Sequence, residues 1–108
     1  MSELSKKKCD ACSEGVPLLE GEKLEKLVDA LGGEWTAVNG HHLEKEFTFK
    51  DFKEALAFTN KVGDLAEKAG HHPDINLTWG KVRICIWTHK VNGLTESDFI
   101  LASKIDRL

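Results

Sequence analysis

The four residues Gly70-His71-His72-Pro73 separate two hydrophobic periods, and that break constrains the fold more than any other stretch of the chain. Before it, Asp51 to Ala69 reads as a long helix. Phe52, Ala55, Leu56, Thr59, Val62, Ala66 and Ala69 form an inner face, widened by Phe58 and Leu65. After it, Ile75, Leu77 and Trp79 alternate with Asp74, Asn76 and Thr78, the two-residue period of a strand with one face covered. Pro73 disfavours helical geometry at His72, and Gly70 suits the positive φ that closes a helix. A helix must therefore end and a strand begin across two adjacent imidazoles.

The remaining chain repeats this alternation of hairpin and helix. Gly21 to Leu31 carries Leu24, Leu27, Val28 and Leu31 on one stripe, and Gly32-Gly33 stops it. Glu34 to Val38 is a short strand anchored by Trp35. Asn39-Gly40 is a strong hairpin signal, and His41 to Lys50 is the returning strand. There Leu43, Phe47 and Phe49 share the apolar face, which Lys45 interrupts near its expected exposed edge. Asp51 with Glu54 starts the long helix as a capping box. After Gly80, Lys81 to Trp87 places Val82, Ile84 and Ile86 on one face. Asn92-Gly93 marks a loop, and Thr95 with Asp98 opens a last helix whose Phe99, Ala102, Ile105 and Leu108 face inward. The expected class is α+β, a two-layer sandwich with a four-stranded antiparallel sheet and three helices on one face, in the order α-β-β-α-β-β-α.

At 108 residues the chain is expected to be one domain spanning 18–108, preceded by a flexible extension over 1–17. That extension contains Cys9-x-x-Cys12. With no second such pair, it reads as two reduced surface thiols rather than a structural zinc site. Cys85, in a strand pattern, reads as a buried small hydrophobe. A net charge of −3 gives no electrostatic case for nucleic acid or for an anionic membrane. No apolar run approaches the roughly 20 residues of a membrane span. Met1 to Asp10 has lysines without an apolar stretch after them, so the expected location is cytoplasmic.

Three histidines converge if the last two strands form a hairpin. His71-His72 precedes the third strand, and His89 follows the fourth. Histidine titrates near neutral pH, with an ordinary pKa of ~6.5. Glu67, about one helical turn before His71, and Asp98, in the first turn of the last helix, are placed to orient these rings. Three readings compete: a metal site, polar caps at a junction, and metal-free acid–base catalysis. Neighbouring residues of an extended chain point to opposite sides, which works against chelation by His71 and His72 together. Convergence of three imidazoles with two carboxylates favours acid–base catalysis. His41-His42, at the hairpin tip, is expected to be solvated and unimportant.

Glu67-Lys68-x-x-His71-His72-Pro73, Trp79-x-Lys81-Val82, Thr88-His89 and Gly93-Leu94-Thr95-Glu96-x-Asp98-Phe99-Ile100-Leu101-Ala102 together resemble the pterin-4a-carbinolamine dehydratase family. Trp35, Phe47-x-Phe49 and Lys50-Asp51-Phe52 match as well, so the resemblance covers about residues 18 to 108. It implies a hydro-lyase of tetrahydrobiopterin recycling, which removes water from 4a-hydroxytetrahydropterin to give quinonoid dihydropterin. The alternative is a non-catalytic pterin-binding or dimerisation module on the same fold. The resemblance implies catalytic His71, His72 and His89, with His71 and His89 as the acid–base pair and His72 positioning the substrate. It implies substrate contacts from Glu67, Gly70, Pro73, Trp87, Thr88 and Asp98, no cofactor, no metal, a small-molecule pterin partner, and a homodimer or homotetramer. Gly70 stands where some members carry an acid.

Overall fold

The fold is given by a computed structural model that describes residues 18–108. The Cys9–Cys12 pair and the expected extension lie outside the described residues. Helix α1 spans Gly21–Leu31, followed by strands β1 (Thr36–Val38) and β2 (His42–Thr48). Helix α2 spans Phe52–Ala69, followed by β3 (Asp74–Thr78) and β4 (Lys81–Ile86). A 3-10 turn, His89–Val91, leads to helix α3, Glu96–Asp106. The four strands form one antiparallel sheet in the order β1-β2-β4-β3, and the helices cover one face. Among the described residues no helix is long and apolar enough to cross a membrane.

Local chemistry explains the boundaries. Asn39 and Gly40 both take positive φ, 53° and 65°, and His41 N–H donates to Val38 O at 2.9 Å, closing the tight turn that their types permit. Asp51 caps α2 by accepting from Glu54 N–H at 2.8 Å. Register then decides the faces. Leu43 lies opposite Ile86, Phe47 opposite Val82 and Ile75 opposite Ile84, so one face of the sheet is apolar except at Lys45. Val82, Ile84 and Ile86 are fully buried there against Ala55, Val62, Phe99, Leu101 and Ile105. Each such aliphatic or aromatic side chain contributes about 1.5–3 kcal/mol by leaving water.

Several packing expectations need correction. Phe52 and Leu56 are exposed, because the packed stripe of α2 is rotated toward Phe58 and Leu65. Phe58 packs at a tilt against Phe47 and Phe49, with ring centroids 4.7 and 5.1 Å apart. Helix α3 is buried nearly all round from Ser97 to Ser103 rather than along one stripe, because α1 and α2 both pack on it. Leu108, past its end, is exposed, and so is Trp79 at the β3–β4 turn. Lys45 is not at an exposed edge. Its ammonium lies 4.7 Å from the Phe47 ring centroid and 5.7 Å from that of Trp35, and it donates to Asp106 Oδ1 at 2.8 Å. Trp35 Nε1 donates to the other oxygen of Asp106 at 2.9 Å. An apparent break in the apolar pattern is thus a polar clasp between β2 and the end of α3.

Candidate functional site

Helix α2 ends in a backbone motif that aims His71 inward. Gly70 is left-handed, at φ 67° and ψ 24°. Its N–H donates to Glu67 O at 3.3 Å, and His71 N–H reaches back to Ala66 O at 3.2 Å. This paired closure is the Schellman arrangement, in which a glycine avoids the strain a side chain would meet. Pro73 then sends the chain into β3, whose first residue Asp74 lies opposite Cys85 of β4. The hairpin therefore carries His71 and His72 to the place where β4 runs out into Trp87, Thr88 and His89.

His71 is buried, and its Nε2 lies 2.5 Å from Oδ1 of the fully buried Asp98. The other oxygen of Asp98 accepts from Thr88 Oγ1 at 2.9 Å and from Thr95 N–H at 2.8 Å. The capping box at the start of α3 thus does two jobs. It closes the helix and presents a carboxylate, with all its neighbours donating, to the histidine. Because Nε2 donates to Asp98, Nδ1 is the ring nitrogen that Asp98 leaves unengaged.

The cleft holds about 180 Å³ and is lined by Gly70, His71, His72, Trp87, Thr88, His89 and Lys90. Ligand pockets that engulf a drug-sized molecule hold roughly 300–1,000 Å³, so this open cleft has room for only part of a ligand of that size. His89 packs at a tilt against Trp87 with centroids 4.6 Å apart, and together they form one wall. His72 is exposed, and its Nε2 lies 2.5 Å from Glu67 Oε1. Glu67 and Pro73 line the adjoining groove along α2 and β3. Thr88 lines the cleft, but its hydroxyl bonds Asp98 and Thr95 and its backbone pairs with Gly93. Its part is to hold Asp98. Of the expected site residues, the fold brings His71, His72, His89, Gly70, Trp87 and Thr88 around one cleft, sets Asp98 beneath His71, and leaves Glu67 and Pro73 on its outer side. Lys90 was missed by sequence reasoning; its adjacency to His89 was the available signal.

Two other expectations fail. Cys85 is half-buried on the face of the sheet away from the helices, because it alternates with the core residues Ile84 and Ile86. Burial, and then the neighbouring Glu44 carboxylate, push its thiol pKa above the ordinary 9.0. His41 and His42 are half-buried rather than fully solvated at a hairpin tip. His41 packs against Trp87 at 5.4 Å and bonds Asn92 Oδ1 at 2.9 Å, because the long loop after β4 folds back over the turn. Truncation of His41 therefore disturbs a wall of the cleft.

A family model described as pterin 4 alpha carbinolamine dehydratase matches residues 17–108. The chain belongs to that family. A Rubrobacter xylanophilus relative with the provisional name pterin-4-alpha-carbinolamine dehydratase is 55% identical over 108 residues, covering 100% of both chains. A crystal structure from Brucella melitensis, titled a transcriptional coactivator/pterin dehydratase, has a TM-score of 0.78 at 33% identity and covers 84% of this chain and 97% of its own. A second solved structure, titled a pterin dehydratase-like protein that is a RuBisCO assembly factor in the alpha-carboxysome, has a TM-score of 0.54 at 27% identity. It covers 61% of this chain and 76% of its own.

Proposed function

We propose that this protein is a hydro-lyase that dehydrates 4a-hydroxytetrahydropterin to quinonoid dihydropterin. The observation that carries this reading is the buried His71–Asp98 pair opening onto a cleft shared with His72, His89 and Trp87. In the reaction the C4a–O bond breaks and a C=N bond forms. The hydroxyl leaves as water after accepting a proton, a ring N–H gives up a proton, and the nitrogen lone pair supplies the electrons. No redox change occurs. Two proton-transfer groups suffice, and His71 and His89 are the pair assigned to them. His71 works through Nδ1, while Asp98 fixes its tautomer. Trp87 offers a flat apolar wall for the bicyclic ring, and His72, braced by Glu67, positions the substrate at the cleft mouth.

The same proposal places the protein in the cytoplasm, in pterin recycling, as a homodimer or homotetramer with a small-molecule pterin as its partner. Exposed Phe52, Leu56 and Trp79 support self-association. A second reading, a non-catalytic binding or assembly module, draws on the fold likeness to the RuBisCO assembly factor. The two separate in a spectrophotometric assay on chemically generated 4a-hydroxytetrahydropterin. Dehydration well above the buffer rate supports the lyase. Pterin binding with dehydration at the buffer rate supports the module.

A further inference from the structure

His42, Glu44 and Cys85 lie outside the chemistry described above. Among the described residues they form a group whose imidazole, carboxylate and thiol ligand atoms all lie within 4.8 Å of one another. Register brings them together: Glu44 of β2 sits opposite Cys85 of β4, and His42 is two residues before Glu44 on the same face. All three are half-buried. His42 Nε2 is 3.5 Å from Glu44 Oε2, and Cys85 Sγ is 3.8 Å from that same oxygen. Tetrahedral zinc, with bonds of about 2.0–2.3 Å to nitrogen, oxygen and sulfur, spaces its ligand atoms about 3.3–3.6 Å apart. The two separations that involve Glu44 are near that spacing, and the third, from His42 to Cys85, lies within 4.8 Å.

The hydrogen-bond chain behind them points the same way. Asn92 presents Oδ1, an acceptor, to His41 Nε2 at 2.9 Å, so His41 donates from Nε2. Its Nδ1 then accepts from His42 Nδ1 at 3.1 Å. In the uncharged ring this leaves the lone pair on Nε2, the nitrogen 3.5 Å from Glu44 Oε2. A nitrogen lone pair and a carboxylate oxygen held 3.5 Å apart are better accommodated with a cation between them. A proton on His42 would answer that need, but the thiol beside them makes a nitrogen, oxygen and sulfur set suited to a softer ion.

We propose that His42, Glu44 and Cys85 bind a zinc-class divalent cation, with the fourth tetrahedral position open to water. His41 and Asn92 fix the ring of His42 from behind, as partners outside the ligand shell commonly do. Binding converts the Cys85 thiol to thiolate and releases its proton to the buffer. The ion would cross-link β2 to β4 beside Trp87, whose ring lies 6.1 Å from His42 and 4.6 Å from His89, and so brace one wall of the cleft. This site does not depend on the dehydratase reading.

The test uses full-length protein carrying Cys9→Ser and Cys12→Ser, titrated with Co²⁺ as the probe and back-titrated with Zn²⁺. The expected result is one equivalent of Co²⁺ with a thiolate-to-cobalt charge-transfer band, displaced by Zn²⁺. On that background Cys85→Ser abolishes the band. Glu44→Gln, which keeps the side-chain shape, weakens binding on the order of 10-fold or more, and His41→Ala weakens it about 10-fold. Circular dichroism establishes that each variant is folded. The proposal is overturned if the Cys9→Ser/Cys12→Ser protein gives no band, meaning that a proton alone occupies the site or that the metal belongs to the N-terminal cysteines. It is overturned equally if His42→Ala or Glu44→Gln binds Co²⁺ as tightly as the parent, because the cation would then be held by Cys85 without the other two ligands.

Discussion

His71 and Asp98, 27 residues apart in sequence, meet at 2.5 Å in the interior, and Asp98 uses its second oxygen to hold Thr88 and the Thr95 N–H. The pair joins the C-terminus of α2 to the N-terminus of α3. It also decides which ring nitrogen of His71 is available for chemistry.

Asp98→Asn tests that assignment. Thr95 N–H can only donate, so the new amide must keep its oxygen there and turn its NH₂ toward His71. His71 Nε2 then has to accept, and the proton moves to Nδ1. Steady-state kinetics should show kcat lower by about 10²-fold with KM little changed, in a protein that remains folded by circular dichroism. Equal kcat in variant and wild type would remove Asp98 from the mechanism.

His72→Ala should behave differently. The ring is exposed and paired with Glu67, so its loss removes a contact at the cleft mouth rather than a proton carrier. KM should rise about 10-fold, the scale of one hydrogen bond, while kcat falls less than in His71→Ala. A selective collapse of kcat would make His72 the proton-transfer group.

Gly70→Ala probes the backbone turn that delivers His71. An added Cβ meets nothing within 4 Å, so the cost is conformational rather than steric crowding by neighbours. At φ 67° that cost is about 1–2 kcal/mol, read as a lower urea midpoint. An unchanged midpoint would show that the turn relaxes freely.

Lys45→Met keeps the aliphatic stem over Phe47 and Trp35 but removes the charge that bonds Asp106. The ion pair is mostly shielded, and its loss should cost about 1 kcal/mol in urea denaturation after allowance for solvent screening. No change, or stabilisation, would mark the pair as a packing detail.

The sequence made the element order and the helix–strand junction legible, because Gly70 and Pro73 act through local backbone preference. The convergence of His71 and His89 followed from hairpin pairing alone. What stayed hidden depended on distant parts of the chain. The rotation of α2, which exposes Phe52 and Leu56, is set by where Phe58 meets Phe47 and Phe49. The clasp on Lys45 needed Asp106, 61 residues away. His41 reads as a surface residue until the loop carrying Asn92 folds back onto it. Thr88 has a hydroxyl beside a site, yet that hydroxyl turns inward to Asp98, a direction no local pattern encodes.

The most direct measurement is the dehydration rate of chemically generated 4a-hydroxytetrahydropterin with wild-type protein, with His71→Ala and with buffer. The account predicts a wild-type rate far above buffer and a fall of roughly 10²-fold or more in the folded variant. A wild-type rate equal to buffer, or full activity in His71→Ala, would contradict it.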